Sequence, residues 1–231
     1  MIVTSTALII GASRGLGLAL TREWLRRDWT VIATARSAGQ KDLQALAEQS
    51  SGRLMLEHLD MTEPAEIAAL KQRLSGATLD LLFVNAAVAN GPDDRVDQAS
   101  TEDFTRVMVT NALSPMRVIE TMGSLVRPGG TIAAMSSSLG SVALNETGGW
   151  EVYRASKAAL NTLMRSYAAR HAGDGRSLAL VDSGWVRTDM GGEDAALSIE
   201  ESIPGVVDAL AARHGQPGLS YFNYKGETLP W

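Results

Sequence analysis

Tyr153 and Lys157 stand four positions apart in Tyr153-Arg154-Ala155-Ser156-Lys157. On a helix such residues share a face, so a phenol and an ammonium can converge on one point. A free phenol has a pKa of about 10 and exchanges its proton poorly near neutrality. A nearby cation favours phenolate, since two unit charges ~4 Å apart at an effective dielectric near 20 interact by roughly 4 kcal/mol. The pair therefore predicts a Tyr153 with a lowered pKa that moves protons. A second donor is on offer in Ser136-Ser137-Ser138-Leu139-Gly140. A hydroxyl at the end of a strand can donate to a carbonyl oxygen and polarise it, and any of the three serines could serve. Asn111 lies among Val107, Val109, Ala112 and Leu113. A buried amide there needs partners, and a structural hydrogen bond is the simpler reading.

These groups are far apart in the chain, so a scaffold must bring them together. The apolar run Ala7–Ile10 leads into Gly11-Ala12-Ser13-Arg14-Gly15-Leu16-Gly17 and then an apolar-periodic stretch. That order reads as strand, tight turn and helix, with the helix N-terminus aimed at a phosphate. Gly11 leaves the strand with positive φ, Gly15 admits a pyrophosphate to the backbone, and Gly17 lets helix and sheet pack closely. Strands are predicted at 3–10, 29–35, 53–58, 79–84, 131–136, 177–181 and 219–224. Helices are predicted at 16–27, 41–48, about 62–74, 101–125 with a bend at Pro115, 151–171 and about 199–213. Alternation without a break in composition predicts an α/β fold: one doubly wound domain over 1–231, with a mostly parallel seven-stranded sheet and helices on both faces. Ligands in such sheets lie beyond the carboxyl ends of the strands.

The residues just after each strand are then the informative ones. After the second strand comes Arg36, where an acidic residue would usually hold a free ribose 2′-hydroxyl. A guanidinium suits a 2′-phosphate instead, and Arg14 can add a second cation. The expected cofactor is therefore NADP(H) rather than NAD. After the third strand, Asp60 and Met61 face the adenine end, with ordinary helix-start chemistry as the competing role for Asp60. After the fourth, Asn85 can tie strands together, while Ala86 and Ala87 permit close approach.

Bulk properties exclude other classes. The chain has 231 residues, 45% of them hydrophobic, and no cysteine, so neither disulfides nor thiolate metal sites are open to it. His58, His171 and His214 have no ligand spacing, and no metal site is expected. The net charge of −5, without a basic block, argues against nucleic acid as a partner. No apolar run suggests a membrane span, and the start lacks the features of a signal peptide. A soluble cytoplasmic protein acting on a small molecule is expected.

Glycine turn, Asn85-Ala86-Ala87, Asn111, Ser137 and Tyr153-x-x-x-Lys157 follow one another in the order of the short-chain dehydrogenase/reductase family, and the chain resembles that family over essentially its full length. Ser138–Trp150 and Tyr224–Glu227 resemble the C-factor-like and sniffer-type carbonyl reductases. The resemblance implies that Gly11, Gly15 and Gly17 hold the pyrophosphate, with Ser13, Arg14 and Leu16 also expected among the cofactor-binding residues. It implies Tyr153 as acid/base and Lys157 as holder of the nicotinamide ribose. Ser137 would orient the carbonyl, and Asn111 would hold a water leading to Lys157. Ser183–Thr188 resembles the family's P-G-x-x-x-T, with Val186 and Thr188 at the carboxamide. Ile10, Ala87 and Ser183 depart from the family pattern, and the 16 positions from Ser137 to Tyr153 make an enlarged loop over the substrate.

The expected activity is NADPH-dependent reduction of a ketone or aldehyde, with Trp150, Trp185 and Met190 lining an apolar pocket. The competing readings are a cofactor-binding sensor without turnover and a nucleotide-sugar epimerase. The intact Ser137, Tyr153 and Lys157 argue against the first. The short stretch after the last strand argues against the second. A homodimer paired through the two long helices is expected from the family.

Overall fold

The computed structural model describes residues 5–36, 41–91 and 94–231. Val3 and Thr4, expected to open the first strand, lie outside the described residues. Among those residues, seven strands form one sheet: β1 (Thr6–Ile10), β2 (Thr30–Ala35), β3 (Leu54–His58), β4 (Leu79–Val84), β5 (Val126–Met135), β6 (Ser177–Asp182) and β7 (Gly218–Asn223). Their order is β3-β2-β1-β4-β5-β6-β7, and every neighbouring pair is parallel. The order reverses between β1 and β4, which opens a crevice at their carboxyl ends. Both turns singled out from sequence, Gly11–Gly17 and Asn85–Ala87, leave the sheet there.

Strand side chains alternate between two cores. Leu8, Ile10, Leu82, Val84, Ile132 and Ala134 face one side with Ile119, Leu160 and Met164. Ala7, Ile9, Leu81, Phe83, Ala133 and Met135 face the other with Leu20, Trp24, Val206 and Leu210. The first side is covered by α3 (Pro64–Arg73), α5 (Ser114–Met122) and α6 (Glu151–Arg170), the second by α1 (Gly15–Arg26), α2 (Lys41–Gln49) and α7 (Ile199–Ala211). Each fully buried aliphatic or aromatic side chain contributes about 1.5–3 kcal/mol, and with both faces filled the strands read as continuous apolar runs.

Two expectations need correction. The helix expected over 101–125 is α4 (Thr101–Met108), a π turn at Val109–Leu113, α5, and a short 3₁₀ turn at Gly123–Leu125. Pro115 lacks an N–H, and the wider turn places it at the start of α5, where no donor is required. The irregularity thus precedes the proline. Strand β5 starts at Val126 rather than Thr131, because a register shift opposite Leu79 and Leu81 absorbs Arg127–Gly130. Among the described residues no helix is long and apolar enough to cross a membrane, and no cluster of His, Asp and Glu could hold a metal ion.

Candidate active site

The glycine turn is held from three sides. Gly11 has φ +82°, and its N–H donates to Thr34 Oγ1 at 3.1 Å. Its carbonyl accepts from Asn85 Nδ2 at 3.0 Å, so Asn85 ties the β4 turn to the β1 turn. A Cβ on Gly17 would lie 2.0 Å from that same carbonyl oxygen, so α1 approaches the turn as only glycine allows. Gly15, at φ +53°, faces open space with Thr188 Cγ2 beyond it, 3.8 Å from where a Cβ would stand. No side chain caps α1, and its first turn carries no acid. Ser13 and Leu16 flank this cradle, half-buried.

The adenosine end is mixed. Arg36 is exposed beyond β2. Burial pushes the Asp60 carboxyl up, but the Thr62 hydroxyl and N–H outweigh it, with help from Arg36 and His58, and hold it below the usual range. Asp60 Oδ1 accepts from Thr62 N at 2.9 Å and from Thr62 Oγ1 at 2.7 Å, which is helix-start chemistry. Met61 packs its side chain into the core beside Leu59 and Ile67. Arg14 Nη1 pairs with Asp189 Oδ2 at 2.8 Å, both side chains exposed, so the pair spans from the glycine turn to the loop after β6. Exposed pairs of this kind are worth little, about 0–1 kcal/mol. In that loop Val186 is buried, while Thr188 Oγ1 donates to Val186 O at 3.3 Å and accepts from Gly191 N at 3.2 Å.

The three chemical groups meet. Ser137 caps the 3₁₀ turn after β5, accepting from Leu139 N at 3.2 Å, and its hydroxyl faces the Tyr153 phenol. Ser136 is buried and donates to Asn161 Oδ1 at 2.6 Å, and Ser138 turns toward Asp182. Of the three serines, the structure therefore sets Ser137 against Tyr153. Lys157 is buried, its Nζ 5.6 Å from the Tyr153 ring centroid and donating to Met135 O at 2.8 Å. Burial pushes its pKa down to about 8.

The phenol is displaced in the opposite direction from the expectation. Burial first, then the charge of Asp182, push Tyr153 well above its ordinary range; Tyr221 adds to this, and only the Ser137 hydroxyl opposes it. Burial penalises phenolate, and the Lys157 ammonium is directed at the Met135 carbonyl instead of the phenol oxygen. Tyr153 is thus set up as a proton donor. Asn111 is fully buried in the π turn. Its Oδ1 accepts from Val88 N at 2.8 Å, and its Nδ2 donates to Val88 O at 2.7 Å and Ser156 Oγ at 3.0 Å. Its amide is engaged in joining the β4 loop to α6 next to Lys157, the structural role read from its setting.

Trp150 sits beside the site, edge-on to Tyr153 with ring centroids 5.9 Å apart. Trp185 and Met190 lie exposed on the loop after β6, where Trp185 Nε1 donates to Gly191 O at 2.8 Å. Three residues of the site were not signalled by sequence spacing. Arg154 donates to the carbonyls of Gly149 and Gly148 at 2.9 and 3.1 Å, fixing the turn that carries Trp150 at φ +52°. Tyr221 donates from its hydroxyl to the Ser137 carbonyl, and burial pushes its pKa up to about 12. Asp182 ends β6 as a buried carboxylate. Only Arg154 offered a local clue, the Gly148-Gly149 pair just upstream.

A family model described as short chain dehydrogenase matches residues 5–197. The 1-hydroxy-2-glutathionyl-2-methyl-3-butene dehydrogenase of Rhodococcus sp. (strain AD45) is 31% identical, covering 98% of this chain and 100% of that one. A short-chain dehydrogenase/reductase structure from Burkholderia multivorans with bound NADP has 53% identity and a TM-score of 0.97, covering 99% of this chain and 100% of that one. A carbonyl reductase from Pseudomonas aeruginosa PAO1 in complex with NADP has 37% identity and a TM-score of 0.91 at the same coverage. With a family model matched over residues 5–197, a glycine turn at the sheet's switch point and Ser137, Tyr153 and Lys157 near it, this chain belongs to the short-chain dehydrogenase family.

Proposed function

We propose that the chain reduces a ketone or aldehyde to an alcohol with NADPH. The observation that carries this reading is the convergence of Ser137, Tyr153 and Lys157 at the carboxyl edge of the sheet, beside the glycine turn. The residues present fit the cofactor. The uncapped, acid-free start of α1 offers backbone donors to a pyrophosphate, and the open space beyond Gly15 admits it. Gly11, Ser13, Gly15, Leu16 and Gly17 would hold that group, with Asn85, Ala86 and Ala87 lining the floor. Asp60 and the Met61 backbone would stand at the adenine, Lys157 at the nicotinamide ribose, and Val186 and Thr188 at the carboxamide. When bound, NADPH supplies the hydride.

The chain's own residues supply the rest. Ser137 donates to the substrate carbonyl oxygen and polarises it. Tyr153, kept protonated by its surroundings, delivers a proton to that oxygen as the carbon gains hydride, and then recovers one from solvent. Preorganised donors of this kind act where charge develops. Incubating the protein with a panel of ketones and aldehydes while following NADPH absorbance tests the reading. Carbonyl-dependent loss of absorbance is expected, and its absence across aliphatic, aromatic and dicarbonyl members would remove the proposal.

Arg36, with Arg14 released from its exposed pair, supports preference for a 2′-phosphate. Arg36→Asp is expected to lower the NADPH-to-NADH ratio of kcat/KM by about 10²-fold, as loss of one charge-assisted contact of 1.5–3 kcal/mol plus new repulsion dictates. A variant that keeps the wild-type ratio would overturn the assignment. Cytoplasmic residence and pairing into a homodimer belong to the same proposal. Phe104 on α4, Leu113 in the π turn and Leu163 on α6 are exposed on the long helices and support the pairing. A sedimentation mass of one protomer would rule it out.

A further inference from the structure

The loop from Ser141 to Trp150 joins the turn that carries Ser137 to the helix that carries Tyr153. Its far end is held by Arg154, through the carbonyls of Gly148 and Gly149. Its near end is held by Trp231, which takes part in no step above. The Trp231 main-chain oxygen accepts from Ser141 Oγ and from Ala143 N, both at 3.2 Å. Ser141 Oγ also accepts from Leu144 N at 3.2 Å, so one hydroxyl ties the loop to itself and to Trp231.

That oxygen can serve as an anchor because the indole is itself anchored. The chain after β7 turns back along the strand: Leu229 N donates to Tyr221 O at 2.9 Å, and Phe222 bridges to Thr228. Pro230 then fixes one backbone angle just before Trp231. The indole lies against Tyr221, with ring centroids 5.2 Å apart, and the Arg165 guanidinium stands 4.6 Å from its centroid. A cation at that range is attracted by the negative face of the ring. The indole stays 37% exposed, so filling the core is not what it mainly does.

Both of its supports lead back to Ser137. Tyr221 donates its hydroxyl to the Ser137 carbonyl. Lys157, Asn161 and Arg165 follow one another at four-residue steps on one face of α6. Asn161 Nδ2 donates to Gly140 O at 3.2 Å, and a Cβ on Gly140 would lie 2.8 Å from Lys157 Cβ, so the turn after β5 is seated on that face. Trp231, fastened to the same helix and the same tyrosine, closes the turn at Ser141, four residues beyond Ser137.

We propose that Trp231 is a positioning residue for Ser137: by fastening Ser141 and Ala143 it fixes the turn on which the Ser137 hydroxyl stands. The assignment rests on Ser137 donating to the substrate oxygen, as in the functional reading above. A donor that wanders forfeits stabilisation of the developing charge, while the cofactor contacts stay as they were.

The test is a double-mutant cycle on kcat for carbonyl reduction. Trp231→Ala is expected to lower kcat about tenfold in the wild-type background and by less than about twofold in Ser137→Ala, where the donor it positions is already gone. NADPH affinity should stay within about threefold, and Trp231→Phe, which keeps a ring against Tyr221 and Arg165, should bring kcat back to within about threefold of wild type. Equal losses in the two backgrounds would overturn the proposal, since a merely structural role adds to Ser137→Ala; so would a kcat that Trp231→Ala leaves unchanged. Should Trp231→Ala not fold, Arg165→Ala removes the cation facing the indole and enters the cycle with the same outcomes. If no carbonyl is turned over, amide hydrogen exchange at Ala143 and Leu144 is read instead. It must quicken in Trp231→Ala and return to the wild-type rate in Trp231→Phe. Unchanged exchange sinks the proposal, whereas faster exchange upholds the clamp and places the failure in the functional reading.

Discussion

Tyr153→Phe is expected to cut carbonyl reduction by about 10²–10⁴-fold, the usual contribution of a positioned general acid. The ring that remains still packs edge-on to Trp150, and α6 loses nothing that holds it, since Ser156 Oγ bonds the Tyr153 carbonyl instead of its hydroxyl. NADPH binding should therefore stay within about threefold of wild type by fluorescence titration, and the melting temperature should be unchanged or higher. The stability expectation follows from burial: removing a polar group from a desolvated site costs at most about 0.5–1.5 kcal/mol, the net worth of one hydrogen bond, and costs nothing where the group lacks a strong partner. Turnover retained within tenfold would show that another group delivers the proton. Ser137→Ala should fall between the two proteins, because it removes a donor to the oxygen and leaves the acid in place.

Gly17→Ala is expected to harm both fold and cofactor binding. The added methyl would stand 2.0 Å from the Gly11 carbonyl oxygen, 2.7 Å from Asn85 Nδ2 and 3.0 Å from Ala12 Cα. Two of these neighbours are backbone, and the third holds the Gly11 carbonyl in place. No side chain can swing away, so the turn itself must open. Overpacking of this kind costs about 1–3 kcal/mol, and the displaced donors should weaken NADPH binding by about 10²-fold. Gly15→Ala makes the useful contrast. Its methyl meets nothing closer than Thr188 Cγ2 at 3.8 Å, so its cost to folding is the φ of +53°, about 1–2 kcal/mol. On the proposed cofactor placement its methyl would stand where the pyrophosphate lies, so binding should suffer out of proportion to stability. A Gly17→Ala protein with wild-type melting temperature and NADPH affinity would refute this account of the turn.

Much of the site could be read along the chain because its signals are local. The i, i+4 spacing of Tyr153 and Lys157 needs only a helix, and the glycine turn needs only the strand before it and the helix after it. The parallel sheet followed from strand and helix periods alternating without interruption. Local signals failed where the answer depended on a neighbour distant in sequence. Which of Ser136, Ser137 and Ser138 meets the phenol turns on whether β5 ends at Met135 or one residue later, and a shift of one reverses the face. The partners of Asn111 depend on a π turn that Pro115 announces only indirectly.

The amino-acid order by itself thus determined most of the elements, the glycine turn and the chemical identity of the candidate reacting groups, since each arises from contacts within a few residues. Tertiary structure alone decided the protonation bias of Tyr153. The ammonium four residues away predicts an easier ionisation, but desolvation first and the charge of Asp182 second push the phenol the other way, while Lys157 Nζ is turned to the Met135 carbonyl. Desolvation and long-range charge are properties of the assembled interior, and no spacing along the chain encodes them.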